Sequence, residues 1–391
     1  MSQENIKLPI IALDHTLWQG NWMNRQHILS RLGERGWPVI YSNGARYYNN
    51  IDFFHPFASV EKKNHVDVYR SGSFFPRNYK IKLLDRLAIR AHCNALKKKA
   101  GIKKGDDFIA LCFHPDFYPY VEELNAPYVM FHIYDVFQNR KNPERNDFNI
   151  QRITEKADLI TASSEIIWDE MVQDKTLTPN IIHNGVDFSS FEKEGSFKGD
   201  VYKDIAKISS PKVGYLGAIN KKLDFCLLDR LAEQFPDVVF TMIGTRLEAS
   251  IKEDEKLWAG YQRFCKQPNV VFTGAIAKEE IASCLSLMDV TIAPYITDRS
   301  TWAFAGFPLK INEYLASGKP VVSAATDTIV QHFSDIVTIC RSFEDWEQDL
   351  KRILSGKGDG TPELRMNFAR LNDWDSKIDK LEDLMSGVIG Y

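Results

Sequence analysis

The chain has 391 residues, 44% of them hydrophobic and 26% charged, with a net charge of −3. That length exceeds one ordinary core and suits two domains, and the balance is that of a soluble globular protein. The charge excludes a global bias toward nucleic acid. The six cysteines form no Cys-x-x-Cys pair, so neither a structural zinc nor a redox dithiol is expected. The N-terminus is polar and carries no apolar signal core, and no apolar run reaches roughly 18 residues. A cytoplasmic chain without a membrane span is the expectation.

Short apolar segments alternate with helix-patterned ones. Strands are predicted over 9–14, 38–42, 108–113, 128–134, 159–162 and 180–183. Helices are predicted over 24–35, 79–99, 148–156 and 165–172. The rhythm restarts with strands over 212–216, 238–243, 270–272, 290–293, 320–323 and 337–340. Helices follow over 225–234, 248–264, 278–287, 309–316 and 343–354. Such alternation predicts an α/β chain of two doubly wound, Rossmann-like parallel-sheet domains. The polar stretch 187–210 reads as the break, giving domains at 1–190 and 208–362. Helices over 363–391 are expected to pack back toward the first domain. Open parallel sheets bind ligands beyond the carboxyl ends of their strands, so two of them are expected to face each other across a substrate cleft.

The ligand is not a dinucleotide in the usual mode. No G-x-G-x-x-G follows either first strand, and no G-x-x-x-x-G-K-[ST] loop exists. The informative segment runs from Phe307 to Val322. Pro308 suits a helix first turn, and the backbone from Leu309 then offers N–H groups to an anion. Lys310 adds a full positive charge in the same turn. Glu313, one turn on and on the same face, can accept hydrogen bonds from a ribose diol. Gly318 ends the helix, and Pro320 opens the next strand. Diphosphate at a helix start with ribose one turn in describes a nucleotide-diphosphate site. The competing reading is an amphipathic helix with a solvated lysine and glutamate.

The order Lys310, Glu313, Tyr314, Ala316, Gly318, Pro320, Val321, Val322 resembles the nucleotide-binding helix of GT-B glycosyltransferases. Other landmarks follow in chain order. Trp18 with Asn24-Arg25-Gln26-His27 is similar to the first loop and helix of bacterial polysaccharide enzymes, and Ile133-Tyr134-Asp135 to the end of their central strand. Ala157–Ser164 resembles their "ADLI-x-x-SS" strand, and Asn184-Gly185-Val186-Asp187 the "NGVD" that closes the first domain. Val213–Gly217, Asn269–Gly274 and Asp289–Tyr295 match three landmarks of the donor domain. One departure stands out. Family 4 retaining enzymes pair the helix glutamate with another eight positions earlier, where this chain has Ala305, in the segment Trp302-Ala303-Phe304-Ala305-Gly306. The chain looks closer to the xanthan glucuronosyltransferase and teichuronic acid type. Those relatives include inverting enzymes with an aspartate base in the first domain.

The resemblance implies sugar transfer from a UDP- or GDP-linked donor to a glycan or lipid-linked acceptor in polysaccharide synthesis. An inverting transfer needs a base for the acceptor hydroxyl and positive charge for the leaving diphosphate. Asp135, at the end of its strand, is the first candidate base. Asp14, His15 and His114 end strands in the same way and are alternatives. Lys310 is the main cation. Arg246, Lys221 and Lys222 follow strands and can reach base or phosphate, Tyr295 can contact diphosphate or sugar, and Gly244 and Gly274 can read the base through backbone groups. No metal and no separate cofactor is expected. Asp373-Trp374-Asp375 reads as a helix cap rather than a manganese site.

Residues 70–104 carry eleven basic side chains against one acid, Asp85, with apolar residues interleaved. This segment is expected to contact an anionic membrane surface at the cytoplasmic face, with Lys97, Lys98 and Lys99 as its anchor. A solvated helix face is the alternative, and no motif supports nucleic acid. Two other functions compete: a nucleotide-sugar 2-epimerase on the same fold, and an inactive binding subunit.

Overall fold

The computed structural model describes residues 7–20, 22–137, 143–192, 198–298, 305–358 and 360–390. The chain divides into two compact units, Met1–His183 with Lys377–Tyr391, and Asn184–Ser376.

The first unit holds β1 (Ile10–Leu13), β2 (Val39–Ser42), β3 (Ser59–Lys63), β4 (Val66–Arg70), β5 (Ile109–Cys112), β6 (Tyr128–Ile133) and β7 (Leu159–Ala162). Their order is β3-β4-β2-β1-β5-β6-β7. Every pairing is parallel except β3 with β4. β1, β2, β5 and β7 are buried along their whole length, as strands covered on both faces must be. The β3–β4 hairpin was not legible in the sequence. β3 is a polar, solvent-exposed edge, and its two turn residues, Asn64 (φ 49°) and His65 (φ 65°), take left-handed conformations that Asn-Gly signals more plainly than Asn-His. The strand expected over 180–183 shrinks to a single bridge, Ile181 with Ala162.

The second unit holds β8 (Lys212–Leu216), β9 (Val239–Ile243), β10 (Val270–Gly274), β11 (Val290–Ala293), β12 (Val321–Ala324) and β13 (Thr338–Cys340). They run in the order β10-β9-β8-β11-β12-β13 with every pairing parallel. Strand order reverses between β8 and β11, so the crevice beyond their carboxyl ends is where this topology takes a ligand. The helix Leu309–Ala316 connects β11 to β12 and starts at that end.

Side-chain caps fix the helix starts. Asp224 accepts from Leu227 N at 2.9 Å, and Ser342 and Asp345 cap each other reciprocally. The single helix expected over 248–264 is two, Glu248–Ile251 and Glu255–Phe264. The second starts afresh because Asp254 caps Leu257 N at 3.0 Å, a local bond that competes with continuing the helix. The polar stretch 187–210, expected as the break, contributes Phe188 and Ile205 to the second unit's core. The junction accordingly lies at His183/Asn184, ahead of that stretch.

Candidate nucleotide and base sites

In the second unit, three neighbouring strands run out at glycines. Gly217, Gly244 and Gly274 have φ of 133°, 146° and 77°. Gly217 N donates to Ile243 O and Gly244 N to Gly274 O, both at 2.8 Å. A Cβ on Gly244 would lie 2.0 Å from Gly217 O. The three ends therefore close into a bare backbone ledge that no side chain fits between. Gly244→Ala is expected to cost about 3 kcal/mol or more through strain and backbone overlap, read as a lower denaturation midpoint.

Lys310 reaches this ledge from the first turn of the helix. A Cβ on Gly217 would meet its Nζ at 2.6 Å. The ammonium donates to Tyr215 Oη at 2.7 Å and lies over the rings of Tyr215 (4.3 Å) and Tyr295 (5.3 Å). Tyr295 is buried and tied to the loop after β8, where Leu223 bridges it and Lys222 O accepts Ile296 N at 2.9 Å. Burial, and secondarily Lys222, push the Lys310 ammonium down to about 7, with Glu313 opposing. Burial also raises the Glu313 carboxyl, against the pull of Lys310 and Lys278. A lysine held this poorly solvated, with a second cation near it, is a candidate anion-binding group.

No side chain caps the helix; Pro308 occupies the cap position. The helix start is instead pinned from below. Asn184 Nδ2 donates to Phe307 O at 2.7 Å, and Asn312 Nδ2 donates to Asn184 O at 3.0 Å. Asp187, three residues on, pairs with Lys278 at 2.7 Å. The Asn-Gly-Val-Asp stretch, expected to close the first domain, thus belongs to the second unit and positions its helix. Ala305 is fully buried, and its carbonyl accepts from Thr328 Oγ1 at 3.1 Å, so the buried wall here carries a methyl group where a carboxylate would stand in a paired-glutamate site. Trp302, Ala303 and Phe304 lie outside the described residues. Arg246 is exposed, 5.3 Å over the Phe272 ring, at the rim of the ledge. Lys221 points to Glu253 at 2.5 Å and is occupied there.

In the first unit, Asp14 is removed from the list of bases. It is fully buried, ion-paired with Arg25 at 2.7 Å, and accepts from Tyr134 Oη at 3.2 Å and Thr16 N at 3.1 Å. Arg25 also stacks over Tyr134 at 4.6 Å. With its carboxylate fully buried and both oxygens engaged, Asp14 presents no open face to an acceptor hydroxyl. Its neighbours in the motif are equally structural. Trp18 packs on Tyr41 at 5.1 Å, and Gln26 caps its own helix through Met23 N at 3.0 Å. This lock fixes the backbone from which His15 projects.

His15 Nε2 lies 3.1 Å from Asp116 Oδ2, and its ring meets the His114 ring edge-on at 4.5 Å. Asp116 stands in the single turn Pro115–Phe117 that follows β5, and its N–H donates to His114 Nδ1 at 3.2 Å. Burial, and then His15, push His114 down to about 4, so it is neutral at physiological pH. The hydrogen bond to His15 is the chief reason Asp116 sits below the usual carboxylate range. The sequence reading found both histidines and missed Asp116, although a carboxylate two residues after the strand-ending His114 is the natural partner for such a ring. Asp135 is half-buried, and its Oδ1 accepts from Val136 N at 2.8 Å. His15, His114 and Asp116 have the ligand types of a metal site, with donor atoms within 4.8 Å of one another. His15 Nε2 and Asp116 Oδ2 are already hydrogen-bonded to each other, and His114 Nδ1 accepts from Asp116 N. Asp373 accepts from Asp375 N and Phe188 N, both at 2.8 Å, the geometry of a helix cap.

Residues 210–355 match the family described as glycosyl transferases group 1. A Bacillus subtilis protein named for a glycosyltransferase of teichuronic acid biosynthesis, TuaH, is 30% identical over 243 residues, which are 57% of this chain and 55% of that protein. The D-inositol 3-phosphate glycosyltransferase of Mycobacteroides abscessus is 22% identical over 250 residues, 62% of this chain and 55% of its own. The chain thus spans about half the length of the curated relatives it matches. Among solved structures, sucrose-phosphate synthase from Thermosynechococcus elongatus aligns over 98% of this chain and 100% of its own, with TM-score 0.73 and 15% identity. Anabaena HepE, in complex with UDP and glucose, aligns over 97% and 100%, with TM-score 0.68 and 15% identity. With its two switch-point sheets and these structural likenesses across the whole chain, the protein has the GT-B fold, and its residues 210–355 match the group 1 glycosyl transferase family.

Proposed function

We propose that the chain is a glycosyltransferase that moves a sugar from a nucleotide-diphosphate sugar to a glycan or lipid-linked acceptor in cell-surface polysaccharide synthesis. The observation that carries this reading is Lys310. Its poorly solvated ammonium stands at an uncapped helix start, beside a glycine ledge, with Glu313 one turn on. Diphosphate meets the ammonium and the helix N–H groups, and Glu313 receives the ribose hydroxyls. The nucleobase rests on the ledge by Gly244 and Gly274, with Arg246 at its rim. The UDP in the HepE crystal favours a UDP donor over a GDP donor.

His15 takes the proton of the acceptor hydroxyl while that oxygen bonds to the anomeric carbon. Asp116 holds the ring in position and stabilises the imidazolium that forms. The bond from the anomeric carbon to the diphosphate breaks, and Lys310 with the helix start receives the released negative charge. His15 is preferred to Asp135 because it alone has both an exposed ring and an orienting carboxylate. No divalent ion is needed where a lysine and a helix end meet the diphosphate.

The test is product analysis. Incubation with UDP- or GDP-sugars and lipid-linked or oligosaccharide acceptors is expected to yield free nucleoside diphosphate and an acceptor one sugar longer. Conversion of the donor to its 2-epimer without any acceptor would replace this reading with the epimerase. Donor binding with no turnover would replace it with the binding subunit.

A further inference from the structure

The first unit exposes large apolar side chains in one place. Phe53, Phe54 and Phe57 in the loop after β2 are 84%, 92% and 72% exposed, and Phe74 and Phe75 in the loop after β4 are 65% and 67% exposed. Three exposed leucines, Leu83, Leu84 and Leu87, continue the set on the first turns of the helix Lys82–Lys99. Monomeric proteins rarely present apolar surface so concentrated unless something covers it.

These three stretches are bolted together. The Phe57 and Phe74 rings lie 5.3 Å apart. Ser73 N donates to Pro56 O at 2.8 Å, and Asp52 N donates to Ser73 Oγ at 3.2 Å. Buried Arg77 grips Asp85 through two hydrogen bonds of 2.9 and 2.7 Å, tying the second loop to the helix. The aromatic tips are therefore fixed on a rigid base.

Charge says what covers them. The acids within residues 51–58 and 72–90 are Asp52 and Asp85, and both are engaged, Asp52 by His55 at 3.0 Å and Arg46 at 3.6 Å, Asp85 by Arg77. Lys80, Lys82 and Arg86 are exposed among the apolar tips. Protruding aromatic rings ringed by cations, with every local acid neutralised from within, complement a surface that is apolar inside and anionic at its edge. We propose that this face of the first unit inserts into an anionic lipid surface, the phenylalanines and leucines in the headgroup–acyl boundary and the cations on the lipid phosphates.

This keeps the first half of the stretch 70–104 as the contact, adds the loop 51–58 to it, and leaves out Lys97–Lys99. Lys98 and Lys99 lie at the far end of the helix, about 16 Å along its axis from Leu87 at 1.5 Å per residue. Of the apolar residues interleaved in this stretch, Ile89 and Leu96 are buried in the core with Ala88, His92 and Cys93. Lys97 lies over the Phe108 ring at 5.4 Å.

The proposal is tested by flotation of the full chain with vesicles of phosphatidylglycerol and, separately, of phosphatidylcholine. Binding to the anionic vesicles, weakened by salt, is expected. Phe53→Ser with Phe54→Ser should reduce it about tenfold or more, as should Lys82→Glu with Arg86→Glu. Lys98→Gln with Lys99→Gln should leave it within about twofold. All these positions are exposed, so unchanged melting curves confirm folding. Binding that survives the phenylalanine changes, or that is lost with Lys98 and Lys99, overturns the proposal. So does a second copy of the chain occupying this face, seen as a dimer in solution that Phe54→Ser dissociates without any vesicle binding. Nucleotide binding by the same variants is read separately, so failure here leaves the donor assignment standing.

Discussion

Lys310→Met is expected to raise the melting temperature of the ligand-free protein at neutral pH while weakening donor binding. The ammonium is held at about 7, against 10.5 for an ordinary lysine, chiefly by burial. Its charged form is therefore disfavoured in the folded chain relative to the unfolded one. The sign follows from linkage. Below pH 7 both states carry the proton, and the folded state bears the full penalty. Between pH 7 and 10.5 the unfolded chain holds the proton that the folded one has lost, so stability rises with pH as the penalty fades. Lys310 is only half-buried by surface area, which discounts the effect to about 1–3 kcal/mol. Methionine fills the space without the charge. The gain should be largest below pH 7 and vanish toward pH 10.5, as scanning calorimetry of the second unit's transition will show. A variant that is no more stable than the parent at any pH contradicts the premise that burial of this ammonium costs the folded chain stability.

His15→Ala is expected to lower kcat by about 10²–10⁴-fold and to leave donor affinity unchanged. Asp116→Asn keeps the shape of its partner but loses the charge that supports the imidazolium. It should lower kcat by a smaller factor, on the order of tenfold to a hundredfold, with donor affinity again untouched. Asp135→Asn is the comparator and should retain most of the activity, because the Val136 N–H that its carboxylate accepts can be accepted by an amide. Steady-state kinetics with saturating donor separates these outcomes. If Asp135→Asn is the inactive variant and His15→Ala turns over normally, the base has been assigned to the wrong strand end.

The alternation of apolar and helical segments was enough to place nearly every parallel strand, because strands covered on both faces read as continuous apolar runs. The strands it overlooked, β3 and β4, form a polar edge hairpin whose turn lacks glycine. The helix Leu309–Ala316 was legible to the residue, since Pro308 and Gly318 bracket it. What surrounds Lys310 was not legible. Tyr215, Gly217 and Asn184 lie roughly 95 to 125 positions away along the chain and meet the helix only through the sheet's crossovers. The same holds for Asp14, whose role turned on Arg25 and Tyr134. Read as a strand-ending acid it resembles a base, and the ion pair makes it a brace. Phe74 and Phe75 lie within the basic stretch 70–104 and were part of its expected apolar set, whereas the loop around Phe54 lies outside it, and only the fold shows that its phenylalanines are exposed beside them.

The most direct test of the central claim is calorimetric titration with UDP-glucose or GDP-glucose, whichever binds, whose diphosphate charge is constant near neutral pH. Since binding returns the proton to Lys310, affinity should fall about 10- to 30-fold between about pH 6.5 and 8.5. Lys310→Met should weaken binding about 30- to 1000-fold and flatten that dependence. Equal affinity in parent and variant, or a pH profile the variant shares, would contradict the assignment of the diphosphate to this helix.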